Sequence, residues 1–326
     1  MSDRIAAILH YITPLNNPSA FDVNMAIDAG FHISSYTGVA LSEIRGHTQD
    51  AMFSRPPDSA KRTCIFIGGR EVSLAMEMLI AAREARLEPF IVSVFADPNG
   101  AFTTAAALVA VAESQLLAQK LKLAGSKIAI FGGKGGVGFI AGLIAAKEGA
   151  EVSLIAHNRV AKDTISDRLE FFRQLAPESY RSAHLEIVIG DSDSQKGRIL
   201  DEQDAIFTTG PAGVELISAQ LLLQSTRLKL ALDVNAVPPL GLGGVGVLDN
   251  GLKLTADRAV RGVGALTIGN VKYRCQQQIL QNLAQCEAAE DYDFHQAFAI
   301  ARAIVAADAA SHNAEANSPH LSETYL

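Results

Sequence analysis

The residues Gly133-Lys134-Gly135-Gly136-Val137-Gly138 carry the densest chemical signal in this chain. They fit G-x-G-x-x-G between an apolar run, Lys127–Phe131, and a helical stretch opening at Val137. In that setting glycine serves three ends: a tight turn, close approach of the backbone to a pyrophosphate, and packing of the helix on the strand. The helix start adds unpaired N–H groups and a partial positive charge that favour phosphate. A strand before, a helix after and a second strand at Glu151–Ala156 give the motif the context of a dinucleotide-binding βαβ unit. The plain alternative is a glycine-rich turn without a ligand. A phosphate-hydrolysing P-loop is excluded. It needs a Lys and then a Ser or Thr after the glycines, and here the chain continues Phe139-Ile140-Ala141.

The ribose of a dinucleotide is read at the end of the second strand, where an NAD site places Asp or Glu about 20 residues beyond the glycines. This chain has Ala156-His157-Asn158-Arg159-Val160-Ala161-Lys162 there: no carboxylate, but an Arg and a Lys. A carboxylate would repel a 2′-phosphate, whereas Arg159 can grip one through two charge-assisted bonds. NADP is therefore the expected cofactor, with NAD tolerated; otherwise Arg159 and Lys162 simply solvate a helix start. Two further glycine-containing loops fall at strand ends of the same sheet. Thr208-Thr209-Gly210-Pro211-Ala212-Gly213 would let the nicotinamide side lie close, and Asn235, ahead of Pro238-Pro239 and four glycines, offers an amide to a carboxamide or ring edge. The expected cofactor contacts are thus Gly133, Lys134, Gly135, Gly136, Val137, Gly138, His157, Asn158, Arg159, Lys162, Thr209, Gly210, Pro211 and Asn235.

These residues need a parallel sheet to hold them. Apolar strands at Ile5–Ile12, Thr63–Ile67, Phe90–Phe95, Lys127–Phe131, Glu151–Ala156, His184–Ile189, Ala205–Thr208 and Lys229–Val234 alternate with helical stretches at Arg70–Ala85, Thr104–Leu121, Val137–Glu148, Ala161–Leu175, Val214–Leu223, Val271–Glu287 and Phe294–Ala307. That alternation is α/β. At 326 residues, two domains of about 150 are expected. A 48% apolar, 19% charged composition is globular, and a net charge of −7 without a basic cluster argues against nucleic acid. Three cysteines (Cys64, Cys275, Cys286) without C-x-x-C spacing speak for a reducing compartment and against a zinc module. No signal peptide and no bilayer-spanning run is read, so a cytoplasmic location is expected, with no metal and no membrane partner. The polar segment from Ser311 to Leu326 is read as a frayed tail.

Further motifs extend the pattern: Pro18-Ser-Ala-Phe21-Asp22-Val23, Gly30-Phe-His32-Ile-Ser-Ser-Tyr36, Ile65-Phe-Ile-Gly68-Gly69, Asp97-Pro-Asn99-Gly100-Ala-Phe-Thr103-Thr104, Asn235-Ala-Val-Pro-Pro-Leu-Gly-Leu-Gly-Gly244 and Gly269-Asn-Val-Lys272. With the glycine loop, in this order and from about Phe21 to Lys272, they resemble the bacterial NAD(P)-dependent methylene-tetrahydromethanopterin dehydrogenases. The resemblance implies an N-terminal pterin-binding α/β domain (1–105) completed by C-terminal helices (270–310), a Rossmann-type doubly wound domain (106–269), and a cleft between them. It also implies a homo-oligomer, a trimer being typical. By motif position the pterin-side residues fall on Phe21, Thr104 and Lys272. Four residues beyond the lysine some members have His, where this chain has Gln276.

Oxidising a methylene bridge between two nitrogens moves a hydride to nicotinamide and leaves a delocalised methenyl cation. No proton leaves carbon, so no strong base is needed, and the task is positioning. Phe21 would stack on the pterin, Thr104 donate to a heteroatom, and Lys272 bind a carbonyl with Asp22 as its counter-charge. Without the resemblance, Phe21 reads as a core anchor, Thr103 and Thr104 as helix caps, and Lys272 as lying near a helix start, where the dipole gives a cation nothing. The same residues leave room for a methylene-tetrahydrofolate dehydrogenase, a non-catalytic NADP- or pterin-binding protein, or a dehydrogenase for another small substrate. Cyclohydrolase activity would need an added water-activating group, and none is expected.

Overall fold

The computed structural model describes residues 5–175, 184–254 and 260–316, the last five of these by backbone alone. In chain order a first run holds β1 (Ile8–Thr13), α1 (Ala20–Asp28), β2 (His32–Thr37), α2 (Ile44–Phe53), α3 (Pro57–Ala60), β3 (Thr63–Ile67), α4 (Val72–Glu84), β4 (Ser93–Ala96) and α5 (Ala101–Leu117). A second holds β5 (Lys127–Phe131), α6 (Gly136–Lys147), β6 (Glu151–Ala156), α7 (Arg159–Leu175), β7 (Leu185–Ile189), α8 (Asp193–Glu202), β8 (Ala205–Thr208), α9 (Ala219–Gln224), β9 (Leu230–Asp233), β10 (Asn250–Lys253) and β11 (Arg261–Val263). The chain closes with α10 (Ala265–Gln285), β12 (Asp291–Tyr292) and α11 (Phe294–Ala316).

Two sheets result. The first has the order β12-β4-β3-β1-β2, every pair parallel. The second has the order β10-β11-β9-β8-β5-β6-β7, parallel except for β10 at its edge. Within it β7-β6-β5-β8-β9-β11 is the 3-2-1-4-5-6 winding of dinucleotide-binding folds, with the direction of winding reversing between β5 and β8. The continuous apolar strands β3, β4, β8 and β9 are buried at every residue, as strands covered on both faces must be.

α5 packs on α6, α10 and α11. Its extended span Pro98–Leu117 is apolar and long enough to cross a membrane, but most of it is buried inside the fold. The helix is unbroken from 101 to 117, so a cut at 105–106 falls within it. The C-terminal elements return to the first sheet: α10 meets α1, and β12 pairs with β4. Arg86 holds β12 through two bonds of 2.8 Å to Asp291, with Arg83 3.0 Å from the same carboxylate.

Several expected boundaries move for identifiable reasons. Val214–Leu223 is not a helix. Gly213 takes a left-handed φ of +73°, the chain runs irregularly to Ser218, and only α9 forms, with the Ser218 side chain accepting from the Leu221 N–H. α5 begins at Ala101 rather than Thr104, so neither threonine is its cap. α10 begins at Ala265, which puts Lys272 in its third turn rather than near its start. The expected tail is helical as far as Ala316, and 317–326 lie outside the described residues.

Candidate functional site

The glycine loop joins β5 to α6 with Gly135 as the residue before the helix. The turn that demands glycine lies one residue ahead of the matched motif: Gly132 has φ +95°, and a Cβ there would meet the Thr209 carbonyl carbon at 2.7 Å. A Cβ on Gly138 would sit 2.3 Å from Thr209 Oγ1, and one on Gly133 would sit 3.0 Å from Leu154 Cβ. Thr209 donates both its N–H (2.8 Å) and its hydroxyl (3.2 Å) to the Phe131 carbonyl. It therefore seats the loop rather than offering its hydroxyl to a ligand. The first turn of α6, with Gly136 and Val137 half-buried and Gly138 buried, starts at the switch point, and its N–H groups could hold a diphosphate there.

Beside the loop a cavity of about 390 Å³ opens at the carboxyl ends of β5, β6 and β7. Of the expected cofactor residues, Lys134, His157, Gly210 and Pro211 line it, together with Asp191 and Lys196, which sequence reasoning did not single out. Lys196 braces the wall by donating to the Leu216 carbonyl at 2.8 Å. Asn158 is a helix cap, its Oδ1 accepting from the Ala161 N–H at 2.8 Å. Arg159 lies outside the cavity, 78% exposed and paired with Asp163 at 3.0 Å; Lys162 is half-buried and does not line it either. The Asn235 amide is used within its own loop: Nδ2 donates to the Pro239 carbonyl and Oδ1 accepts from the Val237 N–H. Asp233 anchors that loop by accepting from the Thr208 hydroxyl and from the N–H groups of Asn235 and Leu242.

The five expected substrate-side residues converge at the carboxyl end of the first sheet. Lys272 Nζ stands 3.8 Å from the centroid of the Phe21 ring and donates to Gln276 Oε1 at 2.5 Å. Gln276 Nε2 in turn donates to Asp22 Oδ1 at 2.8 Å, and the Tyr11 hydroxyl to Asp22 Oδ2 at 3.4 Å. Asp22 is thus Lys272's counter-charge through an amide, not by direct contact. Positions 272 and 276 lie one turn apart on α10, so the amide reaches the ammonium without strain. Phe21 is 47% exposed, which rules out a core anchor. A Cβ on Gly100 would lie 3.1 Å from Lys272 Cε and 3.9 Å from Thr104 Oγ1, so Gly100 gives both side chains their room.

Sequence reasoning missed two members. Asp97, fully buried, accepts from the N–H groups of Phe102 (2.9 Å) and Thr103 (3.2 Å) and from the Thr103 hydroxyl (2.6 Å). It is what starts α5 and fixes Gly100. Its place just before Pro98-Asn99-Gly100 was the available signal. Tyr11 looked like one apolar strand residue among several; a Cβ on Gly68 would strike its hydroxyl at 2.1 Å, so that glycine gives the phenol its space.

Burial dominates the electrostatics. It pushes Asp97 up to about 6 against the opposing pull of Lys272 and the Thr103 donors. It raises Asp22 and the Tyr11 phenol as well, and it lowers Lys272, whose charge Asp97 and Asp22 support. Near neutral pH the Asp97 carboxyl is therefore ionised beside a lysine it helps keep charged. The arrangement offers an aromatic face, an ammonium donor and a hydroxyl, backed by buried carboxylates.

Comparison with known proteins agrees. Residues 20–99 match the sequence profile described as methylene-tetrahydromethanopterin dehydrogenase, N-terminal. The chain is 40% identical over 300 residues to the NAD(P)-dependent methylenetetrahydromethanopterin dehydrogenase of Methylorubrum extorquens, covering 90% of this chain and 97% of that one. It is 28% identical over 271 residues to the Bifunctional protein MdtA of the same organism, covering 82% and 88%. Ornithine transcarbamoylase from Giardia lamblia shares the fold at a TM-score of 0.51 and 11% identity, with 86% of each chain covered. At that identity the likeness concerns the fold alone. The chain belongs to the methylene-tetrahydromethanopterin dehydrogenase family.

Proposed function

We infer that this protein oxidises the methylene bridge of methylene-tetrahydromethanopterin to the methenyl cation with NADP as acceptor, NAD being tolerated. The observation that carries the reading is the short path between the two half-sites. Gly100 borders Lys272, and its neighbour Ala101 borders Gly136 of the glycine loop, a Cβ on Gly136 lying 3.4 Å from that of Ala101. The pterin and dinucleotide sites thus lie on either side of the first residues of one helix. On this reading the first sheet with α10, β12 and α11 forms the pterin unit, and the second sheet forms the nucleotide unit. The 2′-phosphate lies against the start of α7, where Arg159 and Lys162 turn toward it from the solvent edge. The enzyme works as a cytoplasmic homo-oligomer, a trimer as the resemblance implies.

The nicotinamide, when bound, supplies the hydride acceptor. The residues supply alignment. Phe21 offers its exposed ring for stacking, with the Lys272 ammonium lying over one face of it. Lys272 donates to a ring carbonyl, and Thr104 to a neighbouring heteroatom. The product gains a positive charge next to a lysine, which is unfavourable unless that lysine is neutralised. Asp97 and Asp22 do this, and Gln276 passes the Asp22 charge to Lys272 without accepting a proton, since an amide does not titrate in this range. The test is turnover by the purified protein with methylene-tetrahydromethanopterin or methylene-tetrahydrofolate, each with NADP or NAD, followed by nicotinamide absorbance. The methanopterin–NADP pair should be fastest. Saturable NADP binding with no turnover on either pterin would overturn the reading.

A further inference from the structure

Arg168, on α7, touches three groups at once. Its Nη1–H donates to the Lys134 carbonyl at 2.6 Å, its Nη2–H donates to Glu71 Oε2 at 3.1 Å, and its guanidinium lies 5.3 Å from the centroid of the Phe139 ring. The arginine is 11% exposed and the glutamate 67%. Lys134 belongs to the glycine loop. Glu71 immediately precedes α4, in the unit that carries Lys272. A second contact lies at the same junction: a Cβ on Gly136 would come within 2.9 Å of Val72 Cγ1. Val72, Ala101 and Gly136 are the first residues of α4, α5 and α6, so three helix starts meet where the loop touches the pterin unit.

We propose that Arg168 is a positioning residue for hydride transfer, fixing the glycine loop at Lys134 and tying it through Glu71 to the pterin unit. A guanidinium suits the task because its planar fork donates in two directions at once, and the Phe139 ring holds it in plane. Fixing the Lys134 carbonyl fixes the peptide plane that leads into Gly135, and so the direction of the loop on which the diphosphate rests. Glu71 adds little to stability as an exposed partner. Its contribution is register between the two units. The proposal rests on the reading that this loop holds the dinucleotide of a hydride-transfer enzyme.

The experiment combines NADPH fluorescence titration with steady-state kinetics for wild type, Glu71→Ala, Arg168→Lys, Arg168→Ala and the double alanine variant. Arg168→Ala should raise the NADPH dissociation constant about tenfold, as loss of a charge-assisted bond does. Arg168→Lys, which keeps the charge without the fork, should behave like Arg168→Ala. Glu71→Ala should weaken NADPH by about threefold or less and lower kcat while leaving the KM for the pterin and the melting temperature unchanged. The double variant should be no worse than Arg168→Ala. Wild-type NADPH affinity in Arg168→Ala, full rescue by Arg168→Lys, or additive losses in the double variant would overturn the proposal. If Arg168→Ala does not fold, an unchanged kcat in Glu71→Ala would do the same. A wild-type protein that binds NADPH but oxidises no pterin would refute the functional reading and leave the titrations to decide the bridge.

Discussion

At the scale of residues, the proposed chemistry depends on Lys272 and the chain Lys272–Gln276–Asp22. Replacing Lys272 by Ala should lower kcat by about a hundredfold, as removal of one preorganised donor does, with NADPH affinity retained. Asp22→Asn probes the electrostatics. Burial lowers Lys272 and the Asp22 charge opposes that effect, so removing the charge lowers the lysine further. The alkaline limb of the rate profile, where the ammonium deprotonates, should then move to lower pH; an unmoved limb would break the link between the two residues. The resemblance implied Phe21, Thr104, Lys272 and position 276, with Asp22 as a counter-charge, and the fold brings these five residues together. Asp97 and Tyr11 were not legible. Asp97 was one residue within a longer motif and Tyr11 one within an apolar strand; the packed site shows Asp97 supporting the Lys272 charge and Tyr11 donating to Asp22.

At the scale of elements, the start of α5 sets the distance between the half-sites. Ala101 is buried between them, and Ala101→Val adds two methyl groups at a contact already closed by Gly136. Overpacking of this kind costs about 1–3 kcal/mol. Here it should appear as a fall in kcat larger than the rise in either KM, read from initial rates with both substrates varied. The end of β6 tests the cofactor preference. Arg159→Ala should cost NADP roughly 1.5 kcal/mol of binding, the lower end for a bond to a charged group, because this arginine is solvent-exposed and shared with Asp163. NAD binding should hardly change, and equal losses for both cofactors would remove Arg159 from the site. The helices α5, α9, α10 and α11 each miss an expected end by three to nine residues, whereas strands β5 to β9 were legible to within one residue. β2 was not, since His32–Thr37 is a largely exposed, polar edge strand that its partner β1 alone specifies. α8 was missed although Ser192 and Gln195 form a capping box, because its buried face is a single residue, Leu200.

At the scale of the molecule, a buried carboxyl should leave a mark on stability. Asp97 is pushed up to about 6 in the folded protein, against 3.8 as its ordinary value. Between about pH 4 and 6 the unfolded chain has released this proton while the folded one retains it, so this group's contribution to stability falls as pH rises through that window. The difference in denaturation midpoint between wild type and Asp97→Asn should change across pH 4–6 and be flat above it. Five strands of the doubly wound sheet, β5 to β9, were legible from the glycine loop and strand alternation, while the short β10 and β11 were not. The return of the C-terminus was legible only as helices. β12, two residues long and held by Arg83 and Arg86, has no sequence pattern of its own.

On the proposed mechanism the two half-sites are aligned for direct transfer from carbon to carbon, without a proton step. Substrate carrying deuterium on the methylene bridge tests it, with the reduced nicotinamide analysed by NMR. One deuterium is expected at the nicotinamide C4, on one face only, and none acquired from heavy water when the substrate is unlabelled. Label lost to solvent, or solvent deuterium at C4, would contradict it.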